Sequence, residues 1–411
     1  MLLINGLPVV HIEEKDESLQ NQWNAFEQLQ KYDDDGMYTG LFSFVQVQFV
    51  LSQHSAHYFA RPKNAQSYNK DFVFGWRDDN GKDVTATMAF IHQVMGIPAL
   101  HRLVTVNMIP DAANDNLMVM RSYQIQATRA IMDRMRTMEA NNYIEKEGGY
   151  IWHTTGSGKT VTSFKVAQLL ASMPKVRNVL FIVDRVDLVK QTYDDFKSYA
   201  YKTFEDRIQI VNGHNLKQVL KQKSDPSFIY LITVQGLDKA VKSGLLCNDR
   251  NVILMDEAHR SASGDAVARI KKAFPKTTWF GFTGTPNFYS DEVNEVKTSR
   301  NISTYDIFGK RLHRYTIKDA IGDGNVLGFD VTYYTPEIEA SANADLTEPE
   351  LEKQVYTSYP FRKAVVEDIL AHWQENHSGP IQGGVRQPNQ FHGLFAVSGK
   401  QAVVAYYNLF K

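Results

Sequence analysis

The sequence predicts an α/β fold: an open parallel sheet with helices on both flanks. Three observations carry this reading. Beyond residue 117, strand-length apolar runs alternate with helix-like stretches, the mark of a parallel sheet. The runs at 178–183, 227–232, 251–255 and 279–282 are apolar nearly throughout, as strands buried on both faces must be. A glycine-rich turn, Ile151-Trp152-His153-Thr154-Thr155-Gly156-Ser157-Gly158-Lys159-Thr160, joins a strand-like segment to a helix-like run at 161–170.

At 411 residues the chain has room for two or three domains. Its 43% hydrophobic and 12% aromatic content supports sizeable cores and argues against global disorder. The net charge is -1, from 45 basic and 46 acidic residues. A nucleic-acid partner would therefore have to meet a local basic surface. The single cysteine, Cys247, excludes an internal disulfide framework and fits a reducing cytoplasm. The apolar start, Met1 to Ile4, is too short for a signal sequence. No apolar run approaches about 18 residues, so no transmembrane helix and no membrane partner are expected.

Taken in order, residues 2–4 and 7–15 read as two strands around Asn5-Gly6, a strong hairpin signal. Side chains alternate along a strand, so His11, Glu13 and Lys15 share one face. Glu13 and Lys15 form E-x-K, a pairing that a metal-dependent nuclease uses: the carboxylate holds Mg2+ and the ammonium positions water. A solvated charged face is the plainer alternative. Residues 19–32 read as a helix on which Gln28 and Tyr32, four apart, share a face. Strands are expected at 42–51 and 56–61, strand or core at 71–76, and a turn at 78–81. Helices broken at Pro98 are expected over 86–104. The polar stretch 107–116 reads as a linker or a domain boundary.

From Leu117 the alternation begins. Arg121-Ser122-Tyr123-Gln124 opens a helix running to about residue 138. A glutamine ahead of a phosphate loop can bond adenine through its donor and its acceptor. In the loop, two glycines let backbone N–H groups turn inward as an anion nest. The helix after it adds its positive dipole end. Lys159 is placed to reach the β- and γ-phosphates, and the Thr160 hydroxyl to ligate Mg2+. His153 stands where G-x-x-x-x-G-K-[ST] has its first glycine. A glycine-rich turn that holds no ligand is the alternative.

Ligands of open α/β sheets bind off the carboxyl ends of strands, and each polar signature here lies at such an end. The run 251–255 leads into Asp256-Glu257-Ala258-His259-Arg260. Asp256 can hold Mg2+ with Thr160. Glu257 is the candidate base for the attacking water. His259 can relay between nucleotide and the Thr283-Gly284-Thr285-Pro286 turn. An acidic cluster at a helix N-terminus would also explain the Asp-Glu pair, but not Thr-Gly-Thr-Pro.

Arg-Ser-Tyr-Gln, His-Thr-Thr-Gly-Ser-Gly-Lys-Thr, Asp-Glu-Ala-His-Arg and Gly-Phe-Thr-Gly-Thr-Pro resemble the Q motif and motifs I, II and III of superfamily-two helicases and translocases. Gly-Gly-Tyr-Ile-Trp-His before the loop, and Val-Asp-Arg-Val-Asp-Leu after it, resemble the restriction (motor and nuclease) subunit of type I restriction–modification enzymes. That resemblance covers essentially the whole chain. It implies part of a RecB-like, PD-(D/E)xK nuclease and connector at 1–110, and a first RecA-like motor domain at 111–330. A linker and the start of a second RecA-like domain follow at 331–411. From 329 onward the residues read as a strand at 329–334, an acidic linker or mobile loop at 337–352, a helix at 362–374, a polar loop at 377–391 and a strand–turn–helix over 394–410.

By the resemblance, Glu13 with its Mg2+, Lys15, Gln28 and Tyr32 belong to the nuclease. ATP is bound by Arg121, Gln124, Thr155, Gly156, Ser157, Gly158, Lys159 and Thr160. His259, Thr283 and Thr285 couple, and Arg185, Thr233 and Gln235 touch the DNA backbone. The implied partners are double-stranded DNA, a specificity subunit, and a modification subunit that carries S-adenosylmethionine. The rival readings are a helicase without nuclease and a non-catalytic ATP-binding scaffold.

The family's second motor domain supplies a catalytic arginine, and its nuclease a further metal-binding aspartate; neither is found in these 411 residues. The chain is therefore expected to be a piece lacking both ends, able to bind ATP, slow to hydrolyse it and unable to cut DNA alone.

Overall fold

The computed structural model describes residues 1–143, 147–222, 226–258, 264–287, 303–329, 331, 355–377, 381–382, 385–386 and 393–411. These form two compact units, Met1–Leu327 and Gly328–Lys411.

The first unit opens with a four-stranded sheet, β1 (Leu2–Ile4), β2 (Leu7–Glu14), β3 (Val47–Leu51) and β4 (Ala56–Ala60), in that spatial order. The β1–β2 hairpin turns on Asn5 and Gly6, with φ of 50° and 82°, the positive angles that this tight turn demands. Helix α1 (Gln22–Asp34) is capped by Asn21, whose side chain accepts from the Trp23 amide. It packs Ala25, Phe26 and Leu29 against Val50 and Phe59. The strand expected over 42–51 begins later, because Gly40–Phe44 forms a 3-10 turn. Of the alternatives at 71–76, core holds rather than strand: Phe74 and Trp76 pack against the sheet's core, and Phe74 forms an isolated bridge to Tyr58. Helices α2 (Thr87–Phe90) and α3 (Ala99–Thr105) flank a π-helical turn at Ile91–Met95.

Residues 107–116, expected to be a linker or a domain boundary, are a hairpin rather than an open linker. Strands β5 (Met108–Asp111) and β6 (Asn116–Val119) pair antiparallel. Met108 and Ile109 are buried, which a solvated linker would not allow. Asp115 takes φ of 49° in the turn.

Seven parallel strands follow: β7 (Glu147–His153), β8 (Val179–Val183), β9 (Ile208–Ile210), β10 (Ile229–Thr233), β11 (Val252–Met255), β12 (Thr278–Thr283) and β13 (Arg311–Tyr315). Their spatial order is β13-β7-β12-β11-β8-β10-β9. Alternation is visible in the cores: Val179, Phe181 and Val183 enter one, Leu180 and Ile182 the other. Burial on both faces explains the unbroken apolar runs. One face carries α4 (Ser122–Ala140), α5 (Lys159–Ala171) and α6 (Val186–Ala200). The other carries α7 (Leu216–Lys221), α8 (Val234–Lys242), α9 (Gly264–Ala273) and α10 (Thr304–Phe308). Helix α11 (Ile317–Gly322) follows β13.

In the second unit, α12 (Tyr359–His377) and α13 (Lys400–Phe410) pack through Val366, Ala402 and Tyr406. The loop expected over 377–391 contains two short paired strands, β14 (Ile381–Gln382) and β15 (Val385–Arg386). The strand expected at 394–398 is not formed. Leu394 is 96% exposed, and among the described residues no neighbouring strand offers it a ladder. The strand expected over 329–334 and the acidic stretch 337–352 lie largely or wholly outside the described residues.

Among the described residues no helix is long and apolar enough to cross a membrane.

Candidate functional site

All seven strands of the large sheet run parallel, so their carboxyl ends share one edge. The phosphate loop leaves β7 there. Gly156 and Gly158 hold φ of 82° and 74°, angles that cost any other residue about 1–2 kcal/mol. The buried Ser157 ties the turn shut: its amide and hydroxyl both donate to the Thr154 carbonyl, at 3.3 and 2.6 Å. Thr155 and Gly156 are exposed on the outer rim, and Lys159 and Thr160 begin α5.

Opposite the loop, β11 delivers Asp256 and Glu257. The Asp256 amide donates to the Ile182 carbonyl, continuing the ladder one residue past the strand. Glu257 then takes φ of 46°, a strained turn of the kind that clusters at working sites. Its amide donates to Asp256 Oδ1 at 2.9 Å, and its carboxylate lies 3.4 Å from Lys159 Nζ. Burial pushes the Asp256 carboxyl above the usual range. The Glu257 and Asp184 charges add to this, while Lys159 and the Glu257 amide oppose it.

The Thr283–Thr285 turn at the end of β12 lies on the same loop. The Thr285 amide donates to Thr283 Oγ1 at 3.2 Å, and Trp152 Nε1 donates to the Gly284 carbonyl at 3.0 Å. A Cβ at Gly284 would lie 3.4 Å from the His153 carbonyl and the Thr155 amide, ordinary contact distances that show how near the turn lies to the loop. His259 lies outside the described residues.

Gln124 is placed beside the loop, and its amide is engaged there. Its Nε2 lies 3.2 Å from the Ser157 carbonyl and 3.4 Å from that of Gly158, while Oε1 accepts from the Arg121 amide. Arg121 lies over the Phe74 ring at 4.5 Å. Tyr123, which sequence reasoning did not single out, donates to the Ser157 carbonyl at 2.8 Å.

His153 is fully buried, and its Nε2 lies 2.9 Å from His313 Nδ1 on the neighbouring β13. His313 Nε2 lies 3.3 Å from Gln126 Oε1, and Gln126 Nε2 donates to the Arg77 carbonyl at 2.6 Å. These contacts assign the tautomers. An amide oxygen only accepts, so His313 carries its proton on Nε2, and His153 then donates from Nε2. Both rings are neutral. Burial holds His313 down at about 4 and His153 well below its ordinary value, where His313 and Lys159 also act.

At the next strand ends, Arg185 and Thr233 cap α6 and α8. Thr233 and Val183 are partners in the ladder, so the two caps are neighbours. Arg185 and Gln235 are exposed, whereas the Thr233 hydroxyl accepts from the Gly236 amide.

In the small sheet, Lys15 Nζ lies 2.9 Å from Glu13 Oε1. His11 and Glu13 pair in register with Gln48 and Val50, on the face that α1 covers. Tyr32 stacks on His11 at 5.7 Å, and Gln28 is half-buried on the same helix. Among the described residues no three His, Cys, Asp or Glu side chains group as a metal cage.

The pattern of the SWI2/SNF2 ATPase family matches residues 123–359, more than half of the chain. That of the type I restriction enzyme R protein N terminus matches residues 1–67. A type I restriction enzyme endonuclease subunit of Staphylococcus saprophyticus is 35% identical over all of this chain and 42% of its own length. One from Staphylococcus aureus is 32% identical with the same coverage. The chain thus spans less than half the length of these relatives. The Sulfolobus solfataricus SWI2/SNF2 ATPase core in complex with double-stranded DNA aligns with a TM-score of 0.33 at 18% identity, over 45% of this chain and 34% of its own. The chain belongs to the SWI2/SNF2 ATPase family, matches the pattern of the type I restriction enzyme R protein N terminus ahead of it, and is similar along its whole length to type I restriction endonuclease subunits.

Proposed function

We propose that this chain is the motor and nuclease part of a type I restriction endonuclease subunit, which uses ATP to translocate double-stranded DNA and then cleaves it. The observation that carries the reading is the strand-end cluster of Lys159, Asp256 and Glu257 facing a loop of left-handed glycines. The similarity to endonuclease subunits, 32–35% identity along this whole chain, supports that biological class.

In this reading the amides of 156–160 and the Lys159 ammonium hold the β- and γ-phosphates. Thr160 and Asp256 hold Mg2+, a role that suits a buried carboxyl crowded by two other acids; when bound, the ion draws charge from the phosphoryl oxygens. Glu257 orients the attacking water and takes its proton. Arg121 and Gln124 form the base side of the site, and the Thr283–Thr285 turn senses the loop. Arg185, Thr233 and Gln235 contact DNA phosphates, which carry no sequence, so a specificity subunit selects the target. A modification subunit with S-adenosylmethionine completes the assembly. The assembly works in the cytoplasm. Glu13 and Lys15, supported by Gln28 and Tyr32, form the cleaving centre with a second Mg2+. In domain terms, 1–110 serve the nuclease, 111–330 the first motor lobe, and 331–411 lead to a second.

The test is triplex displacement by the assembled enzyme on double-stranded DNA. ATP-dependent displacement that Lys159→Ala abolishes supports the motor; displacement undiminished in that variant overturns it.

A further inference from the structure

Two chains of contacts leave the phosphate loop and end on one residue outside the motor sheet, Arg77. The first starts at the Ser157 carbonyl, which accepts from the Tyr123 hydroxyl. The Tyr123 ring stacks on Tyr315 at 3.6 Å and 9°. The Tyr315 hydroxyl donates to Asp323 at 2.7 Å, and Asp323 lies 2.6 Å from the Arg77 guanidinium. The second starts at His153 and runs through His313 and Gln126 to the Arg77 carbonyl.

Arg77 belongs to the stretch between the small sheet and the motor. A tight turn, in which Asp78 caps the Asn80 and Lys82 amides, sets it in place. Every polar group of Arg77 is engaged. Its amide donates to Ser122 Oγ at 3.3 Å. Its Nε donates to Asp83 at 2.8 Å, and the remaining nitrogens face Asp319 at 3.6 Å and Asp323. The side chain is only 16% exposed, so these pairs are screened less than surface pairs. A planar fork that meets several carboxylates at once is an arrangement lysine cannot reproduce.

We infer that Arg77 is a positioning residue for the nucleotide site: it clamps α4 and the α11 corner so that Tyr123 and His153 hold the phosphate loop in its binding shape. The inference rests on the reading of 154–160 as that site. Nucleotide binding and order in the 74–83 segment are then coupled. The coupling is reciprocal, so nucleotide must also order the segment.

The test uses the 411-residue chain, a fluorescent ATP analogue with Mg2+, and hydrogen exchange over 74–83. Arg77→Ala and Arg77→Lys are both expected to weaken binding about tenfold. Asp323→Asn is expected to do the same, and to add little to Arg77→Ala because the two share one chain. In the unaltered chain the nucleotide should slow exchange over 74–83, and Arg77→Ala should abolish that response. Arg129→Ala is the control for general damage to the junction: Arg129 pairs with Asp79 beside the same turn, and among the described residues neither chain of contacts to the loop passes through its side chain. It should leave binding unchanged.

If the unaltered chain binds the analogue and Lys159→Ala does not, the nucleotide site stands. Undiminished affinity in Arg77→Ala and Asp323→Asn would then overturn the clamp alone, as would equal loss in Arg129→Ala. If the unaltered chain does not bind, both the site and the clamp fall. Should Arg77→Ala fail to fold, the Arg77→Lys and Asp323→Asn results decide.

Discussion

Lys159 Nζ stands 3.4 Å from a Glu257 oxygen, across the edge where β7 and β11 end. The ammonium is thereby held at the mouth of the loop. A triphosphate entering the loop would compete for the same ammonium and release Glu257 for work on water.

The two residues should therefore fail differently. Lys159→Ala removes the charge that holds phosphate, and titration with a fluorescent ATP analogue should lose its signal. Glu257→Gln keeps the lysine and the loop, so binding should persist, while DNA-stimulated phosphate release drops about a hundredfold. Equal loss of binding in both variants would show that the pair is structural.

Asp256 carries a stability consequence. Its carboxyl is pushed up in the fold by burial and by Glu257 and Asp184. The folded state therefore binds the proton more tightly than the unfolded chain, and stability falls as pH rises through the folded pKa. At neutral pH the ionised group destabilises. Asp256→Asn should thus raise the melting midpoint, by about 2 °C, while Mg2+-dependent nucleotide binding is lost. A lowered midpoint in calorimetry would contradict the account.

The buried His153 and the half-buried His313 act in the opposite direction along the pH scale. His153 and His313 are held below their ordinary value of 6.5, His313 at about 4. As pH falls below 6.5, the unfolded chain takes up protons that the fold refuses, so stability declines down to the folded values. Each histidine contributes a slope of up to about 1.4 kcal/mol per pH unit. His313→Gln retains an acceptor for His153 and removes one titrating ring. Urea unfolding between pH 7 and 4.5 should show the slope smaller by about one proton.

How far these features were legible depends on their range. The phosphate loop, Asp256-Glu257 and Thr283-Gly284-Thr285 were readable because each lies within ten residues of the strand that presents it. The central strands announced themselves as unbroken apolar runs. The edge strand β13 did not: Arg311, His313 and Arg314 make it polar, and among the described residues one side of it has no neighbouring strand. His313 and Arg77 left no trace, because their partners stand 160 and 246 residues away, at His153 and Asp323. Only Tyr123 carried a usable signal, lying inside the motif that marked Gln124. The 107–116 hairpin was obscured by its polar turn, although Met108 and Ile109 were the residues to weigh.

The small sheet yields the last prediction. Glu13 and Lys15 form a 2.9 Å pair on the face that α1 covers, with Tyr32 stacked on His11 two positions up the strand. Among the described residues no three His, Cys, Asp or Glu side chains gather there as a metal cage, yet the N-terminal R-protein pattern spans these residues. If they form the cleaving centre, Glu13→Ala in the assembled enzyme should abolish double-strand breaks while triplex displacement continues at its normal rate. Tyr32→Phe keeps the stack on His11 and should cost cleavage far less than Tyr32→Ala, which removes it. Because the motor sheet lies elsewhere in the same unit, ATP consumption should be untouched in all three variants. Cleavage that persists in Glu13→Ala would place the nuclease outside this strand, and lost displacement would show that the small sheet serves the motor instead.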